Sequence, residues 1–353
     1  MENQIPFVVR LAASLISIGL IIFCLYWFKD LFILLGFALI LSLLLFPLCV
    51  KFEKWGFPRS LGIIISILFA LFILTLIIFI MIGQLDQLTS KWPIFVDKFN
   101  VLLSDSQKFL SQKLKIEDQS SSLQLSNSTF EVLKSSGFIL SETFEAAINT
   151  LTSIILTPIF IFFLLYYRDF IAEFLSKLFP KAGTAKIHDL LGKTANVAQG
   201  YLLGLVTVMV FAAALNSFGF WLIGVDFYLF FGILTGILLL IPYVGIWLAA
   251  IGPIILSLIE LGPSHMFAVI LWVGAVQFIE ANFVTPFVVG SRVSINPLLA
   301  ILTLTIGEII WGIPGLILAL PITAMLKVVF DFVPELQPYG FLLGIVPRRG
   351  KKE

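Results

Sequence analysis

Two long apolar stretches, each interrupted by proline and glycine, decide the fold class: FYLFFGILTGILLLIPYVGIWLAAIGPIILSLI at 227–259 and PLLAILTLTIGEIIWGIPGLILALPITAML at 297–326. The interruptions are Pro242-Tyr243-Val244-Gly245 and Gly312-Ile313-Pro314-Gly315. As one continuous helix, each stretch would be about 45 Å long, which exceeds the roughly 30 Å hydrocarbon core of a bilayer. As a helical hairpin, each arm has about 15 residues and reaches about 22 Å, too short to cross.

These lengths favour re-entrant hairpins, while the alternative that each stretch crosses once stays open. Arg292 favours the hairpins, because it then follows the span 266–289 on the cytoplasmic side, where short loops are enriched in Lys and Arg. The first hairpin would enter from outside and the second from inside, an inverted arrangement typical of transporters. Broken helices at membrane depth are tolerated only where they are buried in protein or line a cavity.

The composition is that of a multi-span membrane protein. Hydrophobic residues make up 59% of the chain and charged residues 12%, with a mean hydropathy of +1.08, whereas soluble domains carry about a quarter charged residues. We expect an all-helical protein with about six full transmembrane helices, because a crossing helix needs about 20 apolar residues. The six predicted spans are 11–28, 31–50, 61–83, 146–167, 201–223 and 266–289.

The chain divides into five predicted regions, and its basic loops give the orientation. The basic segments 51–59, 168–193 and the tail are predicted to be cytoplasmic, and both termini with them. The regions are a three-span part at 1–83, an extracytoplasmic helical region at 84–145, a fourth span with a cytoplasmic amphipathic helix at 146–200, a transport core at 201–330 and a basic cytoplasmic tail at 331–353.

Several classes of function have no support in the sequence. Cys24 and Cys49 lie in apolar runs, and His188 and His265 are isolated. No metal-ligand spacing, phosphate-binding glycine loop or nucleophile motif occurs, so neither an enzyme nor a metal or organic cofactor is expected. The net charge of +1 with dispersed basic residues gives no reason to expect nucleic acid as a partner.

Motifs in order along the C-terminal half resemble the AI-2E transporter family, the autoinducer-2 exporter-like permeases. They are Tyr166-Tyr167-Arg168-Asp169 with Pro180, Tyr201-Leu202-Leu203-Gly204, Gly224-Val225-Asp226, Ile241-Pro242-Tyr243-Val244-Gly245, then Glu280, Asn282, Pro286, Gly290, Asn296-Pro297-Leu298, Gly312-Ile313-Pro314-Gly315, Ala319-Leu320-Pro321 and Lys327. The resemblance covers 166–327 in motifs and nearly the whole chain in architecture.

The resemblance implies transport without fixing the cargo, because members are linked to autoinducer-2 export in some cases and to sodium/proton exchange in others. Two departures bear on the cargo. Gly245-Ile246 stands where the family commonly has Gly-Pro, and Leu205 stands where it commonly has Gln.

Glu280 is the strongest candidate for a functional side chain, because a carboxylate within a membrane span is costly and usually marks a pathway. Gln277 lies one turn before it on the same face. Proton or sodium binding would satisfy the carboxylate and couple occupancy to conformation. The alternative is a structural hydrogen bond to a hairpin tip, or a pairing with Arg292. Asn282 lies near Glu280 in sequence and on a different part of the helix surface.

Further candidates carry structural alternatives. Pro242, Tyr243, Gly245, Gly312, Pro314 and Gly315 would form hairpin tips whose freed backbone groups could meet a solute, or they only turn the chain. Glu308 is either particular to this protein or a chance interfacial carboxylate. Asn216 has helix–helix hydrogen bonding as its default role.

The sequence therefore predicts a permease for a small polar solute that works by alternating access around the hairpin tips, and the family resemblance implies an autoinducer-2-like signal as one candidate cargo. It would lie in a bacterial inner membrane as a homo-oligomer. One alternative is a sodium/proton antiporter that uses Glu280, with Na⁺ or H⁺ as coupling ion. Another is a membrane scaffold without transport whose region 84–145 recruits a partner; a passive channel is a weaker option.

Overall fold

The computed structural model of the 353-residue chain describes residues 7–114, 151–180, 183–242, 244–288 and 295–345. Within these ranges the chain is helical, and the thirteen α-helices are numbered in chain order. They are α1 (Phe7–Trp27), α2 (Lys29–Lys54), α3 (Arg59–Leu114), α4 (Leu151–Tyr166), α5 (Arg168–Leu178), α6 (Thr184–Ile223), α7 (Tyr228–Leu238), α8 (Gly245–Leu261), α9 (Pro263–Ile279), α10 (Thr285–Val288), α11 (Pro297–Trp311), α12 (Ile313–Phe332) and α13 (Gln337–Leu343). A π-helical turn, Glu280–Val284, joins α9 to α10, and a 3₁₀ turn, Pro334–Leu336, precedes α13.

Five of the described helices are long and apolar enough to cross a membrane, and a bent pair makes a sixth candidate. The bent pair is α4 with α5, whose axes differ by 64° across Tyr167. The chain is thus a multi-pass, all-helical membrane protein. The five candidate spans are Lys29–Lys54, Arg59–Val101, Thr184–Ile223, Pro263–Val288 and Ile313–Phe332.

Both interrupted stretches break where proline and glycine predict, and each folds back on itself. Helix α7 packs on α8, and α11 packs along α12. The reading of each stretch as one continuous helix is therefore wrong. The predicted arm length of about 15 residues holds for α11, with 15, whereas α7 has 11, α8 has 17 and α12 has 20.

Helix α12 is longer than predicted because it continues past Leu326, through Lys327 and Asp331, to Phe332. Lys327 and Asp331 stand four residues apart and form an ion pair of 2.6 Å between Nζ and Oδ2. The Lys327 side chain is only 19% exposed, so its aliphatic stem lies against protein while its ammonium reaches the carboxylate. At 20 residues, about 30 Å, α12 alone has the length of a full span.

The contacts divide the chain into two compact units. Unit 1 comprises 1–67, 153–203 and 289–353, and unit 2 comprises 68–152 and 204–288. Unit 1 therefore holds the second hairpin, and unit 2 holds the first hairpin together with α9 and the π-helical turn.

Unit 1 is held together by apolar packing and by a cluster of four charged residues. Helix α12 packs on α2, where Leu318 is fully buried beside Gly36, and the Trp311 indole donates a hydrogen bond of 2.9 Å to the Leu25 carbonyl. The charged cluster is Glu53 with Arg168 at 2.7 Å and Arg59 with Asp169 at 2.6 Å. These pairs join the α2–α3 turn to the α4–α5 bend.

Unit 2 has a core of large apolar side chains, to which α3, α6, α7, α8 and α9 contribute. Leu88 and Phe95 of α3 are buried in it with Phe220 of α6 and Phe230 of α7. Helix α3 is 56 residues long, about 84 Å, so it continues without a break from the third predicted span into the region 84–145. The Gln84 side chain also accepts a hydrogen bond of 3.0 Å from the backbone N–H of Phe230 at the start of α7.

Helices α6 and α7 approach so closely that glycine is required at the contact. A Cβ added to Gly232 would lie 1.9 Å from Oγ of Ser217 and 2.6 Å from its backbone nitrogen. A Cβ on Gly236 would lie 2.6 Å from the Met209 carbonyl oxygen. Glycine at this spacing is a common device for close helix packing in membranes.

This contact yields a stability prediction. We expect Gly232→Ala to lower the unfolding free energy by about 1–3 kcal/mol, because the new methyl group has no space without movement of α6. Gly274→Ala is the matched control, since a Cβ there meets no atom within 4 Å. Thermal melting of the purified proteins in detergent measures both, and equal melting temperatures for the two variants would contradict the described packing.

Candidate functional site

The candidate site is built on the π-helical turn that interrupts the span Pro263–Val288. Its local cause is Pro286, which has no backbone N–H and whose ring would clash with the Asn282 carbonyl in a regular α-helix. A wider turn relieves that clash, and the backbone N–H of Thr285 donates to the carbonyl of Glu280, five residues earlier. Such single π-turns are rare and often occur at functional sites.

The π-helical turn changes which side chains share a face. In an α-helix, residues five apart lie about 140° apart around the axis, since each residue turns about 100°. In the π-helical turn they come together, and the Thr285 hydroxyl donates a short hydrogen bond to Oε1 of Glu280. The structure thus adds Thr285 to the predicted site.

Glu280 is buried, with 8% of its surface exposed, and both carboxylate oxygens have a donor. Oε1 accepts from Thr285, and Oε2 accepts from Nε2 of Gln277 at 3.1 Å. The predicted pairing of Glu280 with Gln277 on one face is therefore confirmed as a contact. Neither donor carries a charge, so among the described residues neutral side chains, and no cation, hold the carboxyl group in place.

Gln277 has a free acceptor beside this carboxyl group. Its Nε2 donates to Glu280, while its Oε1 is buried and has no hydrogen-bond partner in the described part of the chain. The cluster therefore offers a carboxylate, a hydroxyl and an amide oxygen, which are ligand types suited to a proton or to a hard cation such as Na⁺.

Asn282 does not join this cluster. Its side chain is exposed, and Nδ2 donates at 2.8 Å to the carbonyl of Phe278, one turn earlier on the same helix. This position agrees with its predicted place on a different part of the helix surface.

The first hairpin tip is a tight turn that uses its own amide groups. The backbone N–H groups of Leu240, Ile241, Val244 and Gly245 all donate to carbonyls of the turn or of the end of α7. These four amides are therefore used within the turn, and the expectation that the tip leaves backbone polar groups free to meet a solute stays a prediction for its other groups. Pro242 is half-buried between them, and Tyr243 lies outside the described residues.

Gly245 is required for that turn. It is buried, and a Cβ there would lie 1.7 Å from the carbonyl oxygen of Leu238, the last residue of α7. The glycine thus lets α8 begin directly against the end of α7. This role is established by the geometry alone and does not depend on any solute.

The second hairpin tip is a single glycine in unit 1. Gly312 has a φ of 66°, a left-handed value that favours glycine, and its N–H donates at 2.7 Å to the Glu308 carbonyl. Gly315 lies against Gly307, where a Cβ would come within 1.9 Å of the Gly307 carbonyl oxygen, and Pro314 is half-buried in the first turn of α12. The Glu308 side chain is exposed, and Arg292 lies outside the described residues.

Asn216 is the second buried polar residue of interest in unit 2. Its side chain is fully buried, and neither Oδ1 nor Nδ2 has a hydrogen-bond partner in the described part of the chain. The described residues therefore do not show the hydrogen bond between helices that is the default role of Asn216. A buried polar group without a partner costs about 1–3 kcal/mol.

Charged residues cluster where α7 begins and α8 ends. Lys91 forms an ion pair of 3.1 Å with Asp226 and lies over the ring of Phe227, whose φ of 58° is left-handed. Partial burial at the end of α8, together with the charge of Asp226, raises the pKa of Glu260, while Lys98 and Lys91 oppose that rise. This cluster stabilises the base of the first hairpin.

Comparison with known proteins gives one consistent result. The sequence profile described as "AI-2E family transporter" matches residues 15–335. The chain is 27% identical to the Bacillus subtilis protein named "Putative transport protein YrrI", over 85% of this chain and 86% of that protein. It is 27% identical to YueF of the same organism, over 86% of this chain and 87% of YueF. It is 25% identical to YhhT of Escherichia coli K12, over 89% of this chain and 88% of YhhT. Both bear the same "Putative transport protein" name.

The Glu280–Thr285 contact can be tested by a double-mutant cycle. We expect Thr285→Val to lower the unfolding free energy by about 1–3 kcal/mol, because it leaves a buried carboxylate oxygen without its donor. Thr285→Ser keeps the hydroxyl and is the matched control. In the Glu280→Gln background, Thr285→Val should cost measurably less, by about 0.5 kcal/mol or more. Detergent unfolding curves give these values, and strictly additive effects would exclude the contact.

Proposed function

The chain belongs to the AI-2E transporter family and is a multi-pass membrane transporter, and we propose that it moves a small polar solute by alternating access with Glu280 as the coupling group. An autoinducer-2-like signal is one candidate cargo. Family membership points to transport rather than to an enzyme. Each broken stretch would act as a re-entrant hairpin whose tip opens or closes one side of the path.

The burial of Glu280 is the observation that carries the proposal. A carboxyl group inside a membrane span is costly, and it is retained where it binds something that crosses the membrane. Glu280 is 8% exposed, and its donors are neutral side chains of its own helix. In this proposal the carboxyl group binds a proton, a cation or a solute group, and that binding favours one conformation over the other.

The π-helical turn supports the same conclusion from the backbone. A turn of this kind has one residue more than the α-helical turn and is often found at functional sites. It brings Thr285 onto the same face as Glu280, which α-helical spacing would not allow. The Glu280 carboxyl group thus depends on the widened backbone for one of its two donors.

Two ion pairs support the prediction that the basic segments 51–59 and 168–193 lie on the same side of the membrane. The turn between α2 and α3 meets the start of α5 through Glu53–Arg168 and Arg59–Asp169, so both segments lie at one end of unit 1. Both segments belong to predicted loops that are rich in lysine and arginine. The positive-inside rule then supports the cytoplasmic side of a bacterial inner membrane, with both termini inside, as the proposed orientation.

Cells that produce the protein provide the test of solute transport. We expect at least one small polar metabolite to differ in the medium between cells with the wild-type protein and cells with an empty vector, as measured by untargeted mass spectrometry. Glu280→Gln should abolish that difference. Glu173→Gln is the matched control, because it makes the same chemical change on an exposed residue whose only described ion pair is with Lys177. Equal transport by wild type and Glu280→Gln would contradict the proposed coupling role.

Sodium/proton exchange is the second candidate function, and the free Oε1 of Gln277 beside Glu280 favours it, since oxygen ligands suit Na⁺. Sealed liposomes separate it from solute transport. An imposed sodium gradient, with no organic solute present, should drive a proton flux in the wild-type protein and none in Glu280→Gln. Absence of flux in both proteins would remove exchange as a function.

A further inference from the structure

Asn216 is a buried amide with both of its hydrogen-bonding atoms unpaired. It lies seven residues before the end of α6, its side chain is fully buried, and the described residues give partners to neither Oδ1 nor Nδ2. Buried polar side chains in folded proteins almost always have partners, so each exception calls for an explanation. The mechanism built on Glu280 does not use this residue.

Helix α7 limits the space on one side of Asn216. The close contacts Ser217–Gly232 and Ala213–Gly236 lie on either side of it along α6. Thr235, next to Gly236, is also fully buried, and its hydroxyl donates at 2.6 Å to the Gly232 carbonyl. That hydroxyl has used its donor and keeps its capacity to accept a hydrogen bond.

Helix α9 limits the space on another side. The Trp272 indole donates at 3.2 Å to the carbonyl of Leu215, the residue before Asn216. Its ring also occupies the place of a side chain on Gly219, where an added Cβ would lie 1.9 Å from the indole nitrogen. Asn216 therefore lies among residues of α6, α7 and α9, all within unit 2.

The chemistry of these neighbours selects the kind of group that would pair with the amide. Ser217, Thr235 and Trp272 carry no charge, and glycine at 219, 232 and 236 keeps the helices close. A charged group here would be buried without a counter-charge, which is strongly unfavourable. A carboxamide offers one acceptor and two donors, so it suits a small neutral group that can donate and accept, such as a hydroxyl group or a water molecule.

We propose that Asn216 contacts solute in a polar site inside unit 2. This site binds a hydroxyl group of a small neutral solute and is reached from water. The inference rests on the proposed transport function, because a polar solute needs such groups along a path through apolar helices. It also narrows the substrate class, from any small polar solute to a neutral hydroxylated one. Glu280 would then serve coupling, and Asn216 recognition.

Access from water can be measured at Asn216 without any transport assay. In a background with Cys24 and Cys49 replaced by Ala, Asn216→Cys in proteoliposomes is treated with 2-aminoethyl methanethiosulfonate, a small water-soluble thiol reagent. Ser257→Cys is the matched control, because Ser257 is also fully buried in unit 2 and its hydroxyl already donates to Ile254 at 2.9 Å.

We expect Asn216→Cys to react at least about tenfold faster than Ser257→Cys. The reason is that only the thiolate reacts and each unit of pKa increase in a dry core lowers its fraction about tenfold. Equal, slow rates would overturn the inference and make Asn216 a residue of a dry helix contact. Fast labelling of Asn216→Cys in a protein that fails every transport assay would leave this site standing and overturn only the proposed function.

A second variant decides the question if Asn216→Cys does not fold. Asn216→Val replaces the amide with an apolar side chain that is only slightly larger. Because the described residues give the wild-type amide no partner to lose, the variant should melt at or above the wild-type temperature in detergent. A clearly lower melting temperature would show that the amide makes a structural hydrogen bond and would overturn the inference.

Discussion

The hydrogen bonding of one buried carboxyl group, that of Glu280, is the constraint on which the proposed site in unit 2 depends. An ionisable group in an apolar span is unfavourable by several kcal/mol unless its oxygens are paired. The helix that carries Glu280 meets this requirement from its own sequence, with Gln277 before it and Thr285 after it. The second partner is available only because the helix widens to a π-turn, which Pro286 favours by removing one α-helical bond.

Close packing of the other helices of unit 2 fixes the backbone around Asn216 and the start of the first hairpin. Glycine at 219, 232 and 236 brings α9 and α7 against α6, while Gly245 lets α8 start at the end of α7. A fixed backbone keeps the polar groups of Glu280 and Asn216 inside the unit and away from lipid, as an intramembrane polar group requires. Stability and the proposed function therefore depend on the same contacts, and substitutions at these glycines would affect both.

Hydrophobic runs and helix breakers predicted most of the architecture, because bilayer thickness fixes the length of a span and proline with glycine ends a helix. The break points of both hairpins and the pairing of Gln277 with Glu280 followed from the sequence. Thr285 did not, because α-helical spacing places it on another face; Pro286 was the available signal. The length of α12 was missed because the helix continues beyond the long apolar stretch through Lys327 and Asp331, which pair within it.

The central claim is that the Glu280 carboxyl group changes its protonation or ligand state during transport. Infrared difference spectroscopy of the protein in proteoliposomes tests it most directly, by recording the carboxyl C=O region while a sodium or pH gradient is imposed. We expect a difference band that is absent in Glu280→Gln, is shifted in Thr285→Val, where the hydroxyl donor is lost, and is unchanged in Glu173→Gln. A wild-type spectrum without any carboxyl band, or a band that persists in Glu280→Gln, would contradict this role of the Glu280 carboxyl group.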